Sequence, residues 1–152
     1  MPAAREAIRL AESDLDKVIE QYHRSLDVFM KGNAEATLAL FSHRDNVTLG
    51  NPFGPVARGF DRVAETARLA SSHMRDGSAA GFDRIATHVS PDFAYIVEVE
   101  RLSTKLDGNK EMTPYSLRVT TIFLPEQGAW KIVHRHADPI TSPRPWDSVI
   151  QK

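Results

Sequence analysis

The sequence predicts one α+β domain in which helices pack on one face of a curved antiparallel sheet. Apolar residues recur at helical spacings of three and four in the first half of the chain. From Phe82 to Asp138 the periodicity becomes that of strands. These strand-like stretches are joined by short turns, which favours neighbours that run antiparallel. A length of 152 residues is sufficient for a single domain with its own core.

Three helices are predicted ahead of the strands. The first begins after Ser13, a favourable N-cap residue, and ends at Gly32, since glycine readily adopts the conformation that closes a helix. A second, short helix covers residues 34–41, and a third runs from Asp61 to about Arg75. The apolar stripe of the first helix consists of Leu15, Val18, Ile19, Tyr22, Leu26, Phe29 and Met30.

The remaining elements are strands and their connections. Val47–Leu49 predicts a short strand, and the glycine- and proline-rich segment 51–61 predicts either a plain turn or a mobile lip. The segment from residue 140 onward contains several prolines and is expected to be irregular. The four longer strands are expected at Arg84–Ser90, Phe93–Ser103, Thr113–Leu124 and Ala129–Asp138.

The composition excludes several classes of function. Nineteen Lys and Arg residues face 20 Asp and Glu residues, so the net charge of −1 gives no general attraction to nucleic acid or to an anionic membrane. The absence of cysteine excludes disulfides, thiolate metal sites and a cysteine nucleophile. The N-terminus lacks the apolar core of a secretory signal, and no apolar run approaches the roughly 18 residues that span a bilayer. We therefore expect a soluble, cytoplasmic protein with neither a nucleic-acid nor a membrane partner.

Two segments carry a family resemblance: GNAEATLALFSHRDNVTLGNPFG at residues 32–54 and LRVTTIFLPEQGAWKIVHRHADP at residues 117–139. With this order of elements the chain resembles the nuclear-transport-factor-2-like superfamily, in its SnoaL-like and calcium/calmodulin-kinase association-domain-like branch. The resemblance covers roughly residues 14–139 of a single domain, with flanking segments 1–12 and 140–152. It implies a cone-shaped fold in which three N-terminal helices and a curved antiparallel sheet enclose a pocket, usually as a homodimer through the sheet.

Departures from the superfamily's patterns narrow the expected chemistry. Steroid isomerases of the superfamily carry a catalytic aspartate before Pro-x-Gly, where this chain has Asn51, whose amide cannot accept a proton near neutral pH. Their phenol donor aligns with Ser25, so steroid-isomerase chemistry is not expected. The kinase association domains carry three cavity arginines. This chain is similar at Arg101 and Arg118 but has Ala137 at the third position.

The two arginines become candidate anion-binding residues. On regular strands Arg101 shares a face with Tyr95, whereas Glu98 and Glu100 take the other face. A guanidinium among apolar neighbours needs a partner, and its fork suits a carboxylate. Arg101 would therefore bind a small carboxylate ligand in a pocket, form an internal ion pair with Glu98, Glu100 or Asp83, or lie exposed at the rim.

The resemblance and the helix pattern together give a pocket lining. Aromatic residues of the first helix can serve as core and as ligand wall at once, and Phe53 would cover the pocket mouth if its segment is a lip rather than a turn. The predicted ligand-binding residues are Tyr22, Phe29, Phe53, Tyr95, Arg101 and Arg118.

The stretch WKIVHRHADP contains two histidines and one arginine at three consecutive positions of a largely apolar strand. On a regular strand His134 and His136 share a face with Trp130 and Ile132, although a β-bulge would invert the faces. Two such histidines, with Asp138 next on that face, could bind a metal, catalyse proton transfer, or only hydrogen-bond the end of the sheet. Because His-x-His alone is a weak metal motif, we predict no metal and no other cofactor.

The sequence is compatible with two classes of function. The first is a small-molecule-binding protein, with a ligand that carries a carboxylate, which would act as a cofactor-free acid–base enzyme of isomerase, dehydratase or hydrolase type. His134 or His136 would then be the base and an arginine the partner of the oxyanion. The alternative is a non-catalytic association or ligand-sensing module. Either class would bind a small organic molecule, a second copy of the chain, or both.

Overall fold

Three α-helices, one 3-10 helix and six strands make up residues 2–151, the part of the chain that the computed structural model describes. The helices are α1 (Pro2–Phe29), α2 (Glu35–Leu38), α3 (Phe60–Ser72) and the 3-10 helix Trp146–Val149. The strands are β1 (Thr48–Gly50), β2 (Ala57–Arg58), β3 (Met74–Ser90), β4 (Phe93–Leu106), β5 (Thr113–Glu126) and β6 (Ala129–Asp138). None of the helices within residues 2–151 is both long and apolar enough to cross a membrane.

All six strands form one curved sheet in the order β2-β1-β6-β5-β4-β3. The long strands β3 to β6 are consecutive antiparallel neighbours, whereas β1 runs parallel to β6. The helices lie N-terminal to the long strands, and the apolar stripe of α1 packs against the inner face of the sheet. The predicted α+β fold class is therefore confirmed.

Several element boundaries differ from the prediction, most clearly those of α1 and β3. Helix α1 begins at Pro2 rather than after Ser13, because the segment before Ser13 is rich in helix-favouring Ala, Arg, Glu and Leu. Strand β3 begins at Met74 rather than at Arg84 and includes the DGSAAG segment, residues 76–81. Gly77 permits this, because a side chain there would overlap the backbone of β4, and bulges beside it bend the strand.

The face of β4 that was predicted to line the pocket points outward, and the opposite face points into the core. Ile96, Glu98, Glu100 and Leu102 are all buried on that face, whereas Arg101 is exposed on the outer face. The outer face of β4 is also largely apolar, so alternation alone did not distinguish the two faces.

A bulge in β6 inverts the faces that a regular strand would give. Ile122 of β5 pairs with His134 and the next residue, Phe123, pairs with Ile132, so Val133 is an additional residue in β6. Before the bulge Ile132 points inward, and after it Arg135 does. The two histidines consequently lie on the outer face, which corrects the prediction that they share a face with Ile132.

Candidate functional site

A buried polar cluster lies on the inner face of the sheet and consists of Arg135, Glu100, Tyr22 and Asn51. Arg135 donates from Nη2 to Glu100 Oε1 at 2.7 Å and from Nε to Tyr22 Oη at 2.7 Å. Tyr22 Oη in turn donates to Glu100 Oε2 at 2.8 Å. Arg135 Nη1 donates to Asn51 Oδ1 at 3.1 Å. The guanidinium is thus fixed by three different partners.

Three elements bring these side chains together. Glu100 and Arg135 lie on β4 and β6, on either side of β5, where they are opposite Leu117 and Thr121 respectively. The long arginine side chain spans this diagonal separation. Tyr22 lies in the buried stripe of α1 and contacts both Glu100 and Arg135, and its solvent exposure is 0%. The cluster therefore ties the first helix to the centre of the sheet.

Burial and pairing fix the charges in the cluster. Burial raises the pKa of Tyr22 well above its ordinary value, despite the opposing Arg135, so the phenol stays neutral and can both donate and accept a hydrogen bond. Burial alone would lower the pKa of Arg135, but Glu100 and Tyr22 outweigh burial and hold the pKa above its usual range. One guanidinium and one carboxylate, both buried, give the pair no net charge.

A small internal cavity of about 40 Å³ borders this cluster. Its polar end is formed by Asn51 and Arg135. Tyr115 also faces it, and burial raises the pKa of that tyrosine to about 12. The rest of the wall is largely apolar and comprises Leu26, Phe29, Met30, Thr37, Phe41, Leu49, Pro52, Phe53, Ala67, Ala70, Met74, Leu102 and Leu117.

A larger cleft of about 530 Å³ adjoins the cavity on its outer side. The cavity and the cleft share Asn51, Phe53, Ala70 and Met74 as lining residues. The cleft lies between α3 and the segment that follows β1, and its volume is within the range of ordinary small-molecule sites. A ligand in the cleft could therefore extend one polar group into the cavity.

The family profile described as SnoaL-like domain matches residues 15–141. The chain belongs to the SnoaL-like domain family. No curated protein has a significantly similar sequence. The predicted recognition, of the nuclear-transport-factor-2-like superfamily and its SnoaL-like branch, is thereby confirmed.

Several solved structures have the same fold as this SnoaL-like domain, although their sequence identity to this chain is low. A candidate scytalone dehydratase from Novosphingobium aromaticivorans has a TM-score of 0.72 at 15% identity, over 92% of this chain and 99% of that one. A nuclear transport factor 2-like protein from Salmonella enterica has a TM-score of 0.71 at 17% identity, over 95% and 99%. A candidate calcium/calmodulin-dependent protein kinase II association domain from Thiobacillus denitrificans has a TM-score of 0.65 at 17% identity, over 82% and 93%. At these identities the similarity shows the fold alone.

Three of the predicted ligand-binding residues of the SnoaL-like domain lie at the cavity or its cluster. Tyr22 is a member of the polar cluster, and Phe29 lines the cavity wall. Phe53 is 65% exposed and borders both the cavity and the outer cleft, as a residue at a pocket mouth would. Whether any of the three contacts a ligand stays a prediction.

The other three predicted ligand-binding residues lie on the outer face of the sheet. Arg101 is half-exposed and pairs with Asp83, one of the partners that the sequence left open, although the pair is not internal. Arg118 is 58% exposed and donates to Asp138 at 2.6 Å. Tyr95 stacks on a neighbouring histidine of β3. Their expected place in the cavity lining is therefore corrected, because these strands turn the opposite face inward.

The two histidines proposed as catalytic also lie away from the cavity. His134 is hydrogen-bonded through Nδ1 to Thr48 Oγ1 at 2.7 Å, and burial, followed by the charge of His136, lowers its pKa. His136 is more than half exposed and lies 3.5 Å from Asp138. Within residues 2–151 no three histidine or carboxylate side chains are grouped so that they could hold a metal ion.

The prediction missed Arg135 and Glu100, the central pair of the cluster. Both were visible in the sequence as charged residues in largely apolar strands, on the faces opposite to those chosen for the pocket. Two opposite charges in core strands, together with a tyrosine in the helix stripe, are the signal that could have located them.

Proposed function

We propose that the SnoaL-like pocket binds a small, mainly apolar molecule through one oxygen that accepts hydrogen bonds from Arg135 and Asn51. The observation that carries this proposal is the fixed guanidinium at the end of an apolar cavity. A guanidinium has five N–H groups, and three hydrogen bonds to protein partners leave donors for a ligand. The amide oxygen of Asn51 accepts from Arg135, which leaves the amide nitrogen free to donate as well.

The charge of the cluster favours a neutral oxygen, such as that of a ketone, over a carboxylate. The positive charge of Arg135 is already matched by Glu100 at 2.7 Å. A carboxylate ligand would therefore add an unbalanced negative charge to an apolar cavity, which is costly. A carbonyl oxygen accepts the same hydrogen bonds without that cost. The proposed ligand accordingly differs from the carboxylate that the arginines of the outer face suggested.

Donors fixed around a carbonyl oxygen would also support acid–base chemistry. They stabilise negative charge that develops on the oxygen when a neighbouring carbon loses a proton, which is a step common to isomerisations and some dehydrations. The SnoaL-like fold is shared with a candidate scytalone dehydratase and with a ketosteroid isomerase-like protein from Erwinia carotovora. This likeness is compatible with a cofactor-free enzyme of isomerase or dehydratase type, and the fixed donors are the reason to propose it here.

Three small molecules with a common aromatic body test the proposed binding mode. Acetophenone, benzoate and ethylbenzene differ only in offering a neutral acceptor, an anionic acceptor or none, and ligand-detected NMR with a calorimetric titration would rank their affinities. We expect acetophenone to bind most tightly. Replacement of Asn51 by Ala should weaken its binding about fivefold to tenfold, as expected for one hydrogen bond. Arg118→Ala, on the outer face, is the matched control and should leave the affinity unchanged.

Two results would contradict this binding mode. Tighter binding of benzoate than of acetophenone would show that the pocket prefers an anion. Equal binding of acetophenone and ethylbenzene, insensitive to Asn51→Ala, would show that the polar end of the cavity does not contact the ligand.

The outer face of the sheet supports the second candidate function, association of two copies. On β4 this face carries Tyr95, Val97 and Val99, and Ile85 of the neighbouring strand is 66% exposed. We propose that a homodimer covers this face. Light scattering should give twice the 17.0 kDa mass of the chain for the wild type and for Asn51→Ala, but a monomer for Val99→Glu. A monomeric wild-type protein would refute the dimer. The cytoplasmic location stays a prediction from the sequence.

A further inference from the structure

A histidine–aspartate pair lies in the wall of the outer cleft, away from the residues predicted to be catalytic. His73 Nδ1 is hydrogen-bonded to Asp107 Oδ1, and both residues line the cleft together with Asn51 and Phe53. Each of the two side chains is about half exposed, so the pair is accessible to a molecule in the cleft. The pair has no part in the buried cluster around Arg135.

The backbone fixes the relative position of the pair. Met74 and Leu106 form the last register pair between β3 and β4, so His73 and Asp107 are the next residues beyond it on the two strands. The Asp107 amide donates to the carbonyl oxygen of His73 at 2.9 Å. Asp107 has a φ of 51° and starts a tight turn that Gly108 completes with a φ of 78°.

This geometry defines which nitrogen of His73 can act as a base. With Nδ1 bound to a carboxylate, that nitrogen carries the proton, and the lone pair is on Nε2. The contact with Asp107 is the only side-chain hydrogen bond that His73 makes within residues 2–151. Nε2 is therefore free for a ligand. A carboxylate at Nδ1 also stabilises the imidazolium that forms when Nε2 takes up a proton.

The residues that line the cavity include no proton acceptor, so a base for a ligand in the cavity would have to come from the cleft. Its wall is formed by apolar side chains, hydroxyl groups, Asn51 and Arg135, and none of these accepts a proton near neutral pH. The cleft is continuous with the cavity through Asn51 and Phe53, and His73 and Asp107 are its titratable lining residues. A ligand with its oxygen at the cavity and its body in the cleft would therefore share the cleft with His73.

We propose that His73, positioned by Asp107, is the proton acceptor for a ketone whose oxygen is held by Arg135 and Asn51. This role rests on the proposed function. His73 Nε2 takes a proton from the carbon next to the carbonyl group. The electron pair of that C–H bond forms a C=C bond, and the π pair of the carbonyl moves to the oxygen, where the donors hold the enolate. In D₂O the proton on Nε2 is replaced by deuterium from the solvent, and transfer of that deuteron to the same carbon gives exchange. Transfer to another carbon of a conjugated enolate gives isomerisation.

Hydrogen–deuterium exchange of the acetophenone methyl group in D₂O tests the first step, since NMR measures it without knowledge of the natural substrate. We expect the wild-type protein to accelerate exchange over buffer and His73→Gln to lose at least tenfold of that acceleration, because general bases contribute about 10²–10⁴-fold. The affinity of His73→Gln for acetophenone should stay within about threefold. His43→Gln, a histidine exposed in a different cleft, is the matched control and should exchange as the wild type does.

Asp107→Asn separates a positioning role from a merely structural one. Loss of the carboxylate should lower the exchange rate and leave the affinity for acetophenone within about threefold, because the imidazolium that forms on His73 loses its stabilising partner. Asp107→Glu, which keeps a carboxylate, should restore most of the rate. An unchanged exchange rate in Asp107→Asn, or no recovery in Asp107→Glu, would refute the role of Asp107.

The outcomes for the pocket and for the base are distinguishable. Binding of acetophenone with no accelerated exchange, or with full exchange in His73→Gln, would refute His73 as the base while the binding mode stands. Failure of acetophenone to bind would overturn both proposals.

Discussion

Replacement of Tyr22 by Phe should measure the hydrogen bonds that join α1 to the buried ion pair. The hydroxyl group accepts from Arg135 at 2.7 Å and donates to Glu100 at 2.8 Å, and both partners are charged and buried. The substitution keeps the ring and removes one oxygen. Its effect should therefore come from the two lost hydrogen bonds and not from a large cavity.

The expected magnitude follows from those two contacts. Hydrogen bonds to charged groups contribute about 1.5–3 kcal/mol each, so two of them amount to roughly 3–6 kcal/mol. Because Arg135 and Glu100 still pair with each other, we expect a loss at the lower end, about 3 kcal/mol of the free energy of unfolding. For a chain of this length that corresponds to a fall in Tm of roughly 6–12 °C.

Urea denaturation of Tyr22→Phe and Tyr115→Phe, followed by circular dichroism, is the assay. Tyr115 gives a matched control, because its hydroxyl group contacts the sulfur of Met30 at 3.1 Å, and a thioether is a weak acceptor. The control should lose less than about 1 kcal/mol. If the two variants lose the same free energy within about 0.5 kcal/mol, with unchanged m-values, the hydroxyl group of Tyr22 does not support the ion pair in the way described.

Two further predictions concern the sheet. Burial would raise the pKa of Glu98, but its hydrogen-bonded histidine and arginine partners outweigh burial and lower the pKa below the ordinary 4.5. The ionised Glu98 side chain therefore stabilises the fold above pH 4.5, and this stabilisation is lost as the pH falls through the folded-state pKa. The difference in unfolding free energy between the wild type and Glu98→Gln should therefore shrink between pH 6 and pH 3, and a constant difference would contradict this. Gly77→Ala should destabilise the protein strongly in thermal unfolding, because its Cβ would overlap the Ser103 carbonyl oxygen, whereas at Gly81 the Cβ would meet only the half-exposed guanidinium of Arg101. Equal effects of the two glycine substitutions would refute the close approach of β3 and β4.

The fold was predictable because it depends on patterns that repeat along the chain. The stripe of α1 is buried as its spacing predicted, and β4, β5 and β6 begin where alternation and turns placed them, whereas β3 begins earlier than predicted. The N-terminal boundary of α1 was not predictable in this way, since a cap residue such as Ser13 does not end a helix when the residues before it also favour helix. Strand β2 has only two residues and carries no periodic signal.

The candidate site was only partly predictable. Tyr22, Phe29 and Phe53 were identified because the helix stripe and the loop composition indicate their positions. Arg101 and Arg118 were chosen for the pocket because they resemble cavity arginines of the kinase association domains. The strand pattern could not correct this choice, since a periodicity of two does not say which face is inside. The inner face was decided by packing against α1.

The sequence by itself determined the class of fold, its family and the buried stripe of α1, because burial of apolar surface is encoded in local periodicity. Only the tertiary structure decided which charged residues are inside. One additional residue at Val133 turns Arg135 inward and both neighbouring histidines outward. Arg135 then meets Glu100 and Tyr22, which lie 35 and 113 residues away in sequence. A buried charge is stable only beside its partner, and that partner is set by the packing of distant elements, which no local pattern records.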